Sequence, residues 1–162
     1  MPRRLTTWLA AAALLLAGCG WSHTTAPAPV QLQFSAKTLA GQPFSGESLR
    51  GKPSVLWFWA PWCPQCQQEA STVAKVAAAN PAVTFVGVAG HDRIPAMQAF
   101  VDKYRLGGFT QLADTDGTIW ARFGVTHQPA YAFVSSHGSV DVVKSSLRES
   151  QLSERVHALV TQ

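Results

Sequence analysis

The chain has 162 residues, enough for one buried core, and its 47% apolar and 14% charged residues suit a compact domain rather than a disordered chain. Its formal charge of +4 includes Arg3 and Arg4, and a chain without those two carries +2. No basic stripe accompanies this near-neutral balance, which argues against nucleic acid as a partner.

Arg3 and Arg4 precede an apolar run from Leu5 to Ala17, broken only by Thr6 and Thr7 and followed by Gly18. This is the layout of an export signal, and the run is shorter than the roughly 20 residues of a transmembrane helix. Leu16-Ala17-Gly18-Cys19 at its end resembles the bacterial lipoprotein box. That resemblance implies a signal peptide over residues 1–18 and a lipid on Cys19, placing the protein on a membrane, facing the extracytoplasmic side. A cut near Ala26 or Ala28 would instead release a secreted protein. The arginine pair also allows twin-arginine export, although its flanks fit the general secretory route better. Residues 19–30 are then a small, polar, Pro-rich tether. His23 reads as a solvated part of it.

The folded domain is expected over residues 31–162. Gln31-Leu32-Gln33-Phe34 alternates and reads as a strand. Turns around Gly41 and Gly46 bracket a short second strand. Ser54 to Trp59 is an unbroken apolar run, as expected of a central strand buried on both faces. A helix follows from Pro64 to about Ala79, stopped by Asn80-Pro81. Val83 to Val88 reads as a strand, Ile94 to Leu106 as a helix ending at Gly107-Gly108, and Phe109 to Leu112 as a short strand. Asp114 to Gly117 is a turn, followed by a short helical piece through Ala121. Ala130–Val134 and Val140–Val143 are strands joined at His137-Gly138, and Gln151 to Val160 closes as an amphipathic helix. Strands alternating with helices, then a hairpin, predict an α/β fold with a mixed central sheet flanked by helices.

Of three cysteines, lipidation of Cys19 would leave the pair Cys63 and Cys66. The pair stands where a buried strand passes into a helix, in Trp62-Cys63-Pro64-Gln65-Cys66. Unpaired N–H groups and the positive end of the helix dipole favour thiolate over thiol there. Pro64 costs no hydrogen bond in the first turn, and a two-residue gap within that turn brings both sulfurs within disulfide reach. A zinc site would need two more ligands at suitable spacing, and a purely structural bridge over so short a loop would stabilise little. Redox chemistry is the expectation: Cys63, at an exposed tip, attacks a partner disulfide, and Cys66, more buried, resolves the mixed disulfide. The dithiol is its own redox centre and calls for no cofactor.

Trp59-Ala60-Pro61-Trp62-Cys63-Pro64-Gln65-Cys66 resembles the active site of the thioredoxin superfamily. The stretch from Gln31 to Val160 is similar to its exported branch, related to TlpA and to the DsbE/DsbF proteins of actinobacteria. Leu49 to Pro53, Asp114 to Gly117 and Gln128-Pro129 support the likeness. The resemblance implies a thioredoxin-like fold, a cis-proline at Pro129 facing the dithiol, and a substrate strand docked by Gln128, with Trp62, Pro64 and Gln65 around it. The branch often carries an acid one helical turn after the second cysteine, here Glu69. That group could tune a thiol or relay protons, or could be a solvated helix residue. Thioredoxin has a buried Asp six residues before its first cysteine. This chain has Trp57 there, which removes the usual proton acceptor and counts against a reductase mechanism.

The function so implied is disulfide formation or exchange in exported proteins, with an unidentified redox partner to recycle the dithiol. Pro64-Gln65 does not decide between oxidation and reduction, and a TlpA-like reductant of apocytochrome or copper-site thiols stays open. A copper chaperone ranks below both, because related chaperones space their cysteines by three residues. His127 could border the site or lie on the surface, while His91, His137 and His157 read as loop or helix-surface residues. Asp114 and Asp116 lack the further oxygen ligands of a calcium loop.

Overall fold

The computed structural model describes residues 28–161. The expected signal, the lipoprotein box with Cys19, and most of the tether lie outside these residues. Among the described residues no helix is long and apolar enough to cross a membrane.

Seven strands form one sheet: β1 (Ser35–Thr38), β2 (Pro43–Ser45), β3 (Ser54–Trp59), β4 (Thr84–Gly90), β5 (Thr110–Asp114), β6 (Ala130–Val134) and β7 (Val140–Val143), in the order β2-β1-β5-β4-β3-β6-β7. The central β3, β4 and β5 run parallel, and the outer pairings are antiparallel. Among the described residues four α-helices flank the sheet: α1 (Pro64–Ala79), α2 (Ile94–Tyr104), α3 (Thr118–Arg122) and α4 (Glu149–Val160).

All six residues of β3 are buried, and its period of two divides them between two cores. Val55, Trp57 and Trp59 join Val73 and Val76 of α1, Phe100 of α2 and Val156 of α4. Leu56 and Phe58 join Ile119 and Trp120 of α3 and the N-terminal Ala28, Leu32 and Phe34. Each such side chain, fully buried, stabilises the fold by roughly 1.5–3 kcal/mol. Gly87 is required by a close approach: a Cβ there would stand 1.8 Å from Gln111 Oε1, which accepts Trp59 Nε1 at 3.1 Å.

Two local expectations are corrected. Gln31–Phe34 is not a strand. Val30–Leu32 is a 3-10 turn, because Leu32 N–H and Gln33 N–H bond locally to Pro29 O and Val30 O, and pairing starts at Ser35 opposite Ser45. The alternation of Leu32 and Phe34 comes from both plugging the core on the α3 side of the sheet, the lower core. Helix α2 stops before the glycine pair, at Arg105 in the left-handed region (φ 54°), and Leu106–Gly108 forms a further 3-10 turn. Packing also begins within the stretch read as tether: Ala28 is buried, and its carbonyl accepts Gln33 Nε2 at 3.0 Å.

Candidate active site

The end of β3 delivers the chain through Ala60-Pro61-Trp62 to Cys63, the N-cap of α1, with Pro64 as the first helical residue. Cys63 N–H bonds Ala60 O at 3.2 Å, and Gln67 Nε2 donates to Pro61 O at 3.0 Å, so both ends of the turn are tied down. Cys66 N–H donates to Cys63 Sγ at 3.1 Å. A helix N-terminus thus spends one of its orphan donors on a sulfur.

Both cysteines are free thiols. Cys66 is fully buried, as expected, but Cys63 is not at an exposed tip: only 2% of it is exposed. The exposed residue is its neighbour Trp62, at 54%, whose Nε1 donates to His91 O at 3.1 Å and ties the turn to the loop after β4. Pro64 and Gln65 are exposed beside it. The Cys66 thiol is pushed far up, by burial first and then by its bond with Cys63; the Ala60 backbone opposes this, and the charges of Cys63 and Glu69 add to it.

Glu69 is not a solvated helix residue. It is 7% exposed, one turn beyond Cys66, and its Oε1 accepts Trp57 Nε1 at 2.8 Å. Burial raises its pKa, opposed by its polar neighbours Tyr131, Trp57, the Leu147 backbone and Ser146. Trp57 and Tyr131 are register partners on β3 and β6, so both present their rings to α1 from one face. The buried acid that position 57 lacks is therefore supplied from α1, and the tryptophan holds it. Tyr131 went unnoticed in the sequence; its place two residues after Pro129 was the available signal.

The Gln128–Pro129 peptide is cis. Phe58 pairs with Ala130, so Pro129 stands beside the end of β3, where the chain turns to Cys63. Pro129 is buried and Gln128 half-buried. His127 is exposed; its Nε2 donates to Lys144 O at 3.0 Å and its Nδ1 accepts the Thr126 hydroxyl at 3.3 Å, the tautomer following from the carbonyl. Its ring fastens the loop before Pro129 to the end of β7 rather than facing the dithiol. Asp114 and Asp116 cap α3: Asp114 accepts Ile119 N–H and Trp120 N–H at 3.0 and 2.9 Å, and Asp116 accepts Thr118 N–H at 3.1 Å. Among the described residues no group of three or more His, Cys, Asp or Glu is placed to hold a metal ion.

Residues 25–143 match the model of the AhpC/TSA family. The soluble secreted antigen MPT53 of Mycobacterium tuberculosis is 49% identical over 156 residues, which cover 94% of this chain and 90% of that protein. The structure of MTB DsbF in its mixed oxidised and reduced forms superposes with a TM-score of 0.81 at 66% identity, covering 82% of this chain and 99% of that one. A secreted M. tuberculosis disulfide oxidoreductase homologous to E. coli DsbE superposes with a TM-score of 0.77 at 54% identity, covering 80% and 98%. The chain belongs to the AhpC/TSA family and is, by fold and kinship, an extracytoplasmic thiol–disulfide oxidoreductase of thioredoxin-like architecture.

Proposed function

We propose that Cys63 is the exchanging sulfur and Cys66 the resolving one, and that the protein donates or repairs disulfides in exported proteins. The observation that carries this reading is the bond from Cys66 N–H to Cys63 Sγ at the start of α1. A hydrogen bond to an ionised sulfur is stronger than one to a disulfide sulfur. It therefore favours the reduced protein, and a couple whose reduced form is stabilised is an oxidant. In the donating direction a partner thiolate attacks Cys63 Sγ of the Cys63–Cys66 disulfide. Cys66 leaves as thiolate and takes a proton from Glu69. A second partner thiolate then attacks the partner's sulfur in the mixed disulfide and expels Cys63. A recycling partner reoxidises the dithiol.

Substrate docking falls to the backbone at Gln128 and the cis Pro129, which lead into β6 beside the dithiol, and to Trp62, Pro64 and Gln65 on the rim. A Cys66→Ser chain should accumulate mixed disulfides with exported proteins that carry a disulfide, as Cys63 attacks and nothing resolves the product, and Cys63→Ser should form none and support no oxidative refolding. Refolding activity retained in Cys63→Ser would overturn the assignment. One alternative has an observation in its favour: Glu69 supplies the buried carboxyl that a reductive direction would use, so a TlpA-like reductant remains the second reading.

Export is shared with the secreted relatives. We propose further that Cys19 carries the lipid, since Leu16-Ala17-Gly18-Cys19 closes the apolar run and lies nine residues before Ala28, where the described fold begins. Cys19→Ser should move the protein from the membrane fraction to the medium. An unchanged distribution would favour the free secreted form instead.

A further inference from the structure

Among the described residues only His91 and Arg105 take a positive φ without being glycine, and His91 (φ 57°) does so in the loop that follows β4. Strands β3 and β4 are parallel with Trp59 opposite Ala89, so the chain leaves β4 for His91 level with the point where it leaves β3 for Cys63. A side chain in the left-handed region costs conformational free energy and persists where its surroundings hold it. Here the holder is Trp120: the imidazole stands edge-on to its ring, with centroids 4.5 Å apart at 87°. Trp120 is itself fixed. It is fully buried, and its backbone N–H and Nε1 donate to Asp114 and to Val88 O at 2.9 and 3.1 Å. It lies so close over Gly90 that a Cβ there would stand 2.7 Å from its ring.

The left-handed turn at His91 directs one carbonyl. His91 O accepts Trp62 Nε1 at 3.1 Å, which fixes the indole while leaving it 54% exposed. An indole whose N–H is already satisfied can be covered by an apolar group without stranding a donor, and a ring already held in place loses little freedom on binding. Ile94, also exposed, opens α2 three residues after His91. Of the four large apolar side chains exposed among the described residues, two therefore stand on the turns that follow β3 and β4. Trp120 also supports the cis-proline side: its carbonyl accepts Val125 N–H at 2.9 Å, at the start of the loop to Gln128 and Pro129. One buried residue thus ties down both sides of the dithiol.

We propose that His91 is a positioning residue for the substrate: its left-handed backbone, wedged by Trp120, holds Trp62 as an apolar platform. The platform selects extended segments of exported proteins that carry an aliphatic or aromatic side chain next to the reacting cysteine. The proposal rests on the thiol–disulfide exchange reading above and adds a side-chain preference to it.

The test uses the oxidised full chain carrying Cys19→Ser and two extended peptide dithiols, alike except that leucine in one and serine in the other flanks each cysteine. The rate at which the Cys63–Cys66 bond is reduced is followed over a range of peptide concentrations. At low concentration the parent should react about tenfold faster with the leucine peptide, through a lower half-saturating concentration and with the same limiting rate. His91→Val, whose branched side chain opposes the left-handed region, should bring that ratio close to one. His91→Asn, which tolerates the region, should keep most of it. A merely structural role would slow both peptides alike and leave the ratio unmoved. Trp62→Ala should also bring the ratio close to one, and adding His91→Val to it should change the ratio no further. If His91→Val fails to fold, His91→Ala opposes the same conformation with less crowding. Equal rates for the two peptides in the parent, or the parent's ratio retained in the folded His91→Val or His91→Ala chain, would overturn the platform alone. A parent chain that reacts with neither peptide would overturn the exchange reading and the platform together.

Discussion

Glu69→Gln should stabilise the protein at neutral pH while slowing its chemistry. The amide keeps the shape and keeps an acceptor for Trp57 Nε1, but it removes the charge. In the folded protein burial raises the Glu69 pKa above its ordinary 4.5, because the bond from Trp57 and the polar groups nearby do not offset the loss of water. A raised folded value means that the group's contribution to stability is fully present below about pH 4.5 and is lost as pH rises through the folded value. Each tenfold tightening of the proton corresponds to about 1.4 kcal/mol lost at neutral pH, or about 4 °C in melting temperature for a domain of this size. Thermal melts of the two proteins should coincide near about pH 4 and separate above it, with Glu69→Gln melting higher near pH 7 by about 4 °C for each tenfold tightening. A difference that does not change with pH, or a less stable Glu69→Gln at neutral pH, would refute the reasoning. If Glu69→Gln melts higher as expected, the natural chain keeps the carboxyl at a cost in stability, as expected where function needs it.

Trp62→Ala should cut kcat/KM for protein thiols about tenfold, near 1.4 kcal/mol of docking energy, with little change in melting temperature because the ring is 54% exposed. Steady-state kinetics beside a thermal melt would check it, and a large loss of stability with intact kinetics would contradict it. Asp114→Ala leaves the Ile119 and Trp120 N–H groups unpartnered beside the lower core. It should cost roughly 2–4 kcal/mol in urea unfolding while leaving the exchange rate of the folded fraction unchanged.

Much of this architecture is readable before any coordinates. Helix α1 runs from Pro64 to Ala79 as its signals predict, because Pro64 can only open a helix and Asn80-Pro81 can only end one. Strand β3 declares itself by five apolar residues in a row after Ser54. The failures have physical causes. Leu32 and Phe34 alternate like a strand, yet local bonds satisfy their backbone first. Arg105 takes a left-handed conformation that glycine would be expected to take, two residues before a glycine pair.

The site shows the same division. Cys63 and Cys66 stand out through their spacing, and Pro129 through its match to the family's cis-proline. The surroundings of Glu69 do not, because a period of 3.6 places it one turn beyond Cys66 without saying what lies above that turn. Its partners come from β3 and β6, and all five residues of β6 are buried, so no alternation marks which side Tyr131 takes. Only the antiparallel register of Trp57 with Tyr131 puts both rings against α1. The burial of Cys63 is likewise a property of the assembled turn rather than of its sequence.

The most direct test of the central claim is the reduction potential of the Cys63–Cys66 couple, measured in a chain carrying Cys19→Ser and equilibrated against glutathione buffers. A donor of disulfides, with its reduced form held by the Cys66 N–H, should titrate toward the roughly −120 mV of strong oxidants. A value near the roughly −270 mV of thioredoxin would contradict that direction and make the protein a reductant fed by an upstream electron donor.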